Sequence, residues 1–317
     1  MTASSAPLPR ILAGIDIGTL TCRLLIAELL PSGSLREIQS ERKILRLGQG
    51  VDRDRTLHPD AMARVIPTLK QWCQAIERAQ VEAAVAVATS AVRDAANRDE
   101  FVNLVRRETG LAVEVISGEE EARRTLLGIR SGLPKGVTDM LALDIGGGST
   151  ELILDRPGRS PLVRSVDIGV VRLCERVLQH DPPTSEEVEQ AREWAARETR
   201  AAVLEMEGYR AAVFVGTAGT ITALAAMAQQ LSAYEPARIH NYRLMRTEVQ
   251  ALEATLLSRT KSGRVGLPGL ERNREDVIAA GAIILRTVMD TLGVTTVLVS
   301  DYGLREGVLL DLARQTA

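Results

Sequence analysis

A twelve-residue pattern occurs twice in this chain and constrains its fold more than any other feature. Ile15-Asp16-Ile17-Gly18-Thr19-Leu20-Thr21-Cys22-Arg23-Leu24-Leu25-Ile26 aligns with Leu143-Asp144-Ile145-Gly146-Gly147-Gly148-Ser149-Thr150-Glu151-Leu152-Ile153-Leu154. Each copy reads as an apolar strand, Asp-Ile-Gly, a small polar turn with a hydroxyl five residues after the Asp, and a second apolar strand. Arg23 and Glu151 occupy matching places, seven residues past each Asp.

The segments that follow also match. In the first half a third strand is predicted near Ile44–Leu47, then a helix from Pro59 to Ala79. Its apolar positions Met62, Val65, Ile66, Leu69, Trp72, Cys73 and Ile76 keep helical spacing. Strand 84–88, helix 100–108 stopped by Gly110, strand 112–116 and helix 119–130 complete it. In the second half come strand 162–168 and a helix opened by Thr184 with Glu187 three residues on, a capping-box pattern. Strand 212–215, a helix from Thr220, a helix over 274–292 stopped by Gly293, strand 295–300 and a last helix from Leu304 follow. The segment 238–273 has no first-half counterpart. Each half is therefore β-β-β-α-β-α-β-α, which predicts an α/β chain of two mixed sheets with helices on their faces. Facing halves leave a cleft between the turns after their first strands. The expected division is 1–125 plus the final helix (304–317) against 126–303, that helix packing back on the first domain.

Composition narrows the function. The 317 residues carry 39 basic and 41 acidic side chains, for a net charge of −2, and only eight aromatic residues. The charge removes the strongest form of a nucleic-acid reading and the aromatics leave little material for base-stacking platforms, so nucleic acid is not the expected partner. Cys22, Cys73 and Cys174 form no CxxC pair, as in a reducing compartment. The N-terminus lacks a basic n-region, which argues against a signal peptide. Uncharged 211–234 holds two Gly, three Thr and two Gln and reads as strand, turn and helix, not as a membrane span. A cytoplasmic location is expected.

Asp144 to Ser149, Asp-Ile-Gly-Gly-Gly-Ser, is the sharpest chemical signal. A hairpin turn needs one or two glycines; three suit a backbone whose N–H groups approach phosphate oxygens. An Asp at the strand end suits Mg²⁺, with Ser149 and Glu151 supplying further oxygens. Gly216-Thr217-Ala218-Gly219-Thr220 is another small-residue turn opening a helix N-terminus. Arg93, just after a strand, is placed to reach an anionic substrate. Glu119, Glu120 and Glu121 lie in one first helical turn; the dipole accounts for one or two, and a third is available as a general base. The pattern does not choose among them. His58, His180 and His240 lack ligand spacing, and no serine elbow or Walker loop appears.

Seven blocks in order, IDIGTLTCRLLIAE, ATSAVRDAANRDEF, VISGEEEA, LDIGGGSTELIL, DIGVVRL, VGTAGTITAL and SDYGLREG, resemble the exopolyphosphatase/guanosine pentaphosphate phosphohydrolase (Ppx/GppA) family over about residues 11–312. The resemblance implies two ribonuclease-H-like, actin-like ATPase domains with an interdomain cleft, and a Mg²⁺-dependent hydrolase that releases terminal phosphate from polyphosphate or guanosine pentaphosphate. It implies Glu121 as general base, Asp144 and Glu151 as metal ligands with Ser149 nearby, and Arg93 as the residue orienting phosphates. Gly146, Gly147 and Gly148, with Gly216, Thr217, Gly219 and Thr220, would cradle the phosphates, and Asp16, Gly18, Thr19, Thr21 and Arg23 would form the facing wall. A homodimer is implied by the same analogy. The first loop departs from the family's Gly-Ser-Asn-Ser-x-Arg at Leu20, which implies weaker hydrogen bonding to phosphate there. The chain also stops short of the helical domains of the long members, which implies a shorter polyphosphate track. A sugar- or acetate-kinase activity would call for a Gly-Gly adenosine loop, which Val299–Arg305 lacks. An alarmone-binding or filament protein without turnover is disfavoured by the clustered carboxylates.

Overall fold

The computed structural model describes residues 10–206 and 208–316; the leader expectation falls on residues outside these. The first lobe opens with β1 (Arg10–Ile17), β2 (Thr21–Leu29) and β3 (Leu35–Ile44), then α1 (Val51–Asp54), α2 (Pro59–Arg78), β4 (Ala83–Ala88), α3 (Ser90–Arg93), α4 (Arg98–Thr109), β5 (Val113–Val115) and α5 (Gly118–Gly132). The second repeats the order with β6 (Met140–Ile145), β7 (Thr150–Asp155), β8 (Leu162–Val166), α6 (Val170–Arg176), α7 (Ser185–Leu204), β9 (Val213–Thr217) and α8 (Ala218–Ala228). An inserted α9 (Pro236–Ile239), β10 (Arg243–Met245), α10 (Arg246–Leu257) and α11 (Lys261–Arg264) follow, before α12 (Ile278–Leu292), β11 (Thr296–Val299) and α13 (Leu304–Gln315).

The sheets are ordered β3-β2-β1-β4-β5 and β10-β11-β9-β6-β7-β8. In both, the hairpin strands run antiparallel and the crossover strands pair parallel to the first strand. The duplication therefore extends to strand order, with β10 as an extra edge strand from the insertion. β6 and β7 are buried at every position, as strands covered on both faces must be.

Among the boundaries that differ from expectation, three bear on the site. The third strand is Leu35–Ile44, upstream of the predicted Ile44–Leu47. It is an edge strand, half exposed and rich in charge, so it carries no apolar signature. The Ile44–Leu47 cluster instead wraps the first turn, the Leu45 and Arg46 amides donating to the Leu20 carbonyl at 3.0 and 2.9 Å. The helix expected from Thr220 starts at Ala218, and that expected from Arg274 starts at Ile278, which leaves Arg274 in the preceding turn. The Thr184–Glu187 capping box forms as predicted, with bonds of 3.2 and 2.9 Å.

Two helices cross between the lobes. α13 covers the first sheet, with Leu309 and Ala313 against Leu12, Leu25 and Ala27. α5, on which residues 125 and 126 both lie, covers the second, with Ala122, Leu126 and Ile129 against Met140, Ala142 and Ile153. Where they meet, a Cβ added to Gly128 would fall on the Gly303 carbonyl, and one on Gly307 on the Arg124 carbonyl. The helices pack backbone to backbone, and only glycine permits it.

Candidate active site between the lobes

The two repeated hairpins turn toward each other. Gly18 N donates to Thr21 O at 3.1 Å and Gly146 N to Ser149 O at 3.0 Å, so the turns are copies. A Cβ on Gly147 would sit 2.8 Å from the Thr19 Cβ, and one on Gly148 would collide with the Ser90 hydroxyl. Close approach of the opposite lobe thus requires these two glycines, in addition to any phosphate they admit. The carbonyls of the second turn are consumed by α6: Val170 N reaches Gly146 O at 3.0 Å and Val171 N reaches Gly147 O at 2.8 Å. With its carbonyls taken and the Gly146 amide closing the turn, the amides of Gly147, Gly148 and Ser149 are left for a ligand in the cleft.

The cleft is lined by Asp16, Gly18, Thr19, Thr21 and Arg23 from one lobe and by Asp144, Gly146, Gly147, Gly148 and Ser149 from the other. Thr217, Gly219 and Thr220 line its end, as does Ala218 with a left-handed φ of 70°. α8 begins there with no side-chain cap, so its first amides are available to an anion. Gly216 lies deeper in β9; a Cβ there would meet Val297 and Ile221, so it packs in the core instead of lining the cleft.

Pleating places Asp16 opposite Arg23 and Asp144 opposite Glu151 in cross-strand register. Burial raises Asp16 to about 6, with Asp144 adding repulsion against the pull of Arg23, and one of its oxygens is buried without a partner among the described residues. Burial likewise raises Asp144 to about 6, against the pull of Arg23. Glu151 rises to about 7 through burial and the adjacent Asp144, although the Ser165 hydroxyl donates to it at 2.8 Å. Glu121 is pushed well above the usual carboxylate range by burial and by Glu151, with Arg93 opposing. Repulsion links Asp144 with Asp16, Glu151 and Glu121, and Glu151 with Glu121, and such a row of buried carboxylates is an environment that a divalent cation relieves. Among the described residues no three side chains converge as a closed ligand cage. An open site of one or two carboxylates completed by water suits a hard cation of the Mg²⁺ type.

The acidic turn of α5 divides by rotation. Glu120 is held by Arg123 and Arg124, each at 2.7 Å, and Glu119 is exposed. Glu121 faces the cleft, where Arg93 Nη1 donates to its Oε2 at 3.1 Å and to the Ile116 carbonyl at 3.1 Å. Arg274, missed in the sequence, also lines the cleft. It is 3% exposed, pairs with Glu271 at 2.9 Å and lies against Gly219, and burial lowers it to about 10. Its only sequence signal was an arginine just ahead of an apolar helix.

Comparison with known proteins places the chain and its fold. The model of the Ppx/GppA phosphatase family matches residues 26–316. That match begins beyond the first turn, so the Leu20 departure lies outside it. Exopolyphosphatase 2 of Mycobacterium tuberculosis is 36% identical over 315 residues, covering 95% of this chain and 98% of that protein. The Aquifex aeolicus Ppx/GppA family member superposes with a TM-score of 0.82 at 34% identity, covering 97% of this chain and 99% of that one. An exopolyphosphatase of Cytophaga hutchinsonii gives a TM-score of 0.89 at 26% identity, covering 96% and 98%. The two lobes are the two actin-like domains of that fold.

Proposed function

The chain belongs to the Ppx/GppA phosphatase family, and from that premise we propose that it is a Mg²⁺-dependent exopolyphosphatase, releasing terminal orthophosphate from inorganic polyphosphate. The observation that carries this reading is the convergence on one cleft of two anion-receptive backbone ends, the Gly146–Ser149 turn and the start of α8, with the carboxylates Glu121 and Asp144, Glu151 lying buried beside Asp144 on the neighbouring strand. Amide dipoles and Arg23, Arg93 and Arg274 hold the phosphates; Glu121 takes the proton from the attacking water. Its raised pKa makes it a competent base near neutral pH once neighbouring charge is neutralised. Arg93 fixes the Glu121 carboxylate and orients the terminal group. Asp144 and Glu151, with Ser149 beside them, would hold the Mg²⁺, which supplies Lewis-acid polarisation of a phosphoryl oxygen. Water attacks phosphorus, the bridging P–O bond breaks, and the shortened chain leaves as an anion stabilised by the same donors.

The test is phosphate release from short and long polyphosphate, guanosine pentaphosphate and ATP, side by side with Mg²⁺. Glu121→Gln is expected to abolish release while keeping the thermal melt of the parent; full activity in that variant removes Glu121 as base. Guanosine pentaphosphate is the second reading, favoured by a side cavity that opens off the cleft at Arg23 and Ala218 and is walled by Tyr234, Tyr302 and Arg42. Those rings offer a nucleoside a stacking surface that polyphosphate does not need. No helix among the described residues is long and apolar enough to cross a membrane. Cytoplasmic residence, a homodimer and a domain division at residues 125 and 303 complete the proposal.

A further inference from the structure

The DIGVVRL block has no part in the chemistry above, yet its arginine is among the most buried cations in the molecule. Arg172, 5% exposed, spends its whole guanidinium on three separate pieces of structure. Nε donates to the Gly148 carbonyl at 2.9 Å, Nη2 to Asp94 Oδ2 at 2.7 Å, and Nη1 lies 2.9 Å from Asp52 Oδ1. Gly148 belongs to the second lobe's turn; Asp94 and Asp52 end and occupy the first lobe's α3 and α1. Asp94 directly follows Arg93, whose Nε is 3.9 Å from Asp94 Oδ1 and whose Nη1 holds Glu121. Hydrogen bonds at both ends, joined by the Asp94–Arg93 charge contact and their shared backbone, therefore connect the Gly148 carbonyl through Arg172, Asp94 and Arg93 to Glu121.

We propose that Arg172 is a positioning residue that sets the phosphate-binding turn of one lobe in register with the Arg93–Glu121 pair of the other. The turn is fixed by its carbonyls: α6 amides take those of Gly146 and Gly147, and the Arg172 side chain takes that of Gly148. Pinning the oxygens inward aims the peptide N–H groups at the cleft. Such aim matters because a preorganised donor that is even slightly displaced forfeits much of its transition-state stabilisation. A lysine keeps the charge but cannot span three acceptors from one planar group. The inference rests on the phosphohydrolase reading.

The experiment compares wild type, Arg172→Met, Arg172→Lys, Asp94→Asn and Asp276→Asn in Mg²⁺-dependent phosphate release from tripolyphosphate, with thermal melts alongside. Asp276→Asn is the control: it breaks another interlobe pair, Arg46–Asp276 at 2.7 Å, which touches neither the turn nor α3. Arg172→Met is expected to lower kcat about 20-fold and raise KM about fivefold, the loss of a donor array's aim. Arg172→Lys and Asp94→Asn should each lower kcat about fivefold, and Asp276→Asn should stay within about twofold of wild type. Should Arg172→Met fail to fold, Arg172→Lys and Asp94→Asn carry the test. Unchanged kcat in folded Arg172 and Asp94 variants overturns the proposal, as does an equal fall in Asp276→Asn, which would assign the effect to lobe closure in general. A wild type that releases no phosphate overturns the functional reading instead. Calorimetry with tripolyphosphate then decides for Arg172: about fivefold weaker binding in the folded variants upholds the clamp, and equal binding refutes it.

Discussion

The two hairpins share a backbone and differ in charge. Both turns close with the same hydrogen bond, within 0.1 Å in length, yet the residue opposite the strand-end Asp is Arg23 in one and Glu151 in the other. The first hairpin is thereby neutralised by its own chain. The second carries two adjacent carboxylates, opposed only in part by Arg23 and Arg93, and directly opposed like charges are destabilising, so an added cation would relieve them. The turn tips differ just as sharply. Gly147 and Gly148 are bare backbone, whereas Leu20 is buried and belongs to the apolar cluster of the opposite lobe. On the proposed function, the second turn would serve as the ligand face, and the first, through Leu20, is the anchor that seats against its lobe. The missing amide at position 20 is explained by that anchoring.

The charge asymmetry is broken most severely by Glu151→Gln. Phosphate release should fall by roughly 100-fold or more, and the stabilisation that Mg²⁺ gives the fold, read as the shift in Tm on adding the ion, should shrink with it. Retention of both would place the cation elsewhere. The anchor is probed by Leu20→Ala, expected to cost about 2–4 kcal/mol in chemical denaturation through the cavity left between the lobes, with kcat per folded molecule largely kept. Leu20 also borders the cleft, so a loss of kcat without a loss of stability would make it a substrate contact and erase the division of labour.

A smaller effect sharpens the comparison through pH. Asp16 and Asp144 rise to about 6 and Glu151 to about 7 in the folded protein, so folding favours their protonated forms. The stability they confer is complete below the ordinary carboxylate pKa near 4 and is lost as pH climbs through 6 to 7. Melts in EDTA from pH 4.5 to 8 should show Tm falling across that window, less steeply in Glu151→Gln, and Mg²⁺ should flatten the fall. A Tm that climbs through pH 6 to 7 in EDTA would contradict this electrostatic picture.

Much of the architecture was legible because duplication and helical periodicity are local signals. The repeated Asp-Ile-Gly turns, the capping box at Thr184 and the glycine stops at Gly110 and Gly293 all lie where the pattern put them. The edge strand β3 was displaced because an exposed strand needs no apolar alternation. The site was legible in outline and incomplete in detail. Choosing Glu121 over its neighbours depends on which helix face meets the second sheet, and that is a tertiary fact, fixed when Arg123 and Arg124 claim Glu120. Arg274 and Arg172 were invisible for the same reason. Their significance comes from bridging the lobes, Arg274 from Gly219 to the Thr21 hydroxyl and Arg172 from Gly148 to Asp94 and Asp52, and no spacing along the chain encodes it.

The exchange of α5 and α13 has a topological consequence. Each half of the chain wears a roof made by the other, so cutting the segment between α5 and β6 would produce two fragments, neither of which owns a complete core. The duplicated halves descend from a common pattern but have become mutually dependent, like clasped hands. Those two roofs meet backbone to backbone at Gly128 and Gly307, so a side chain at either would push the halves apart.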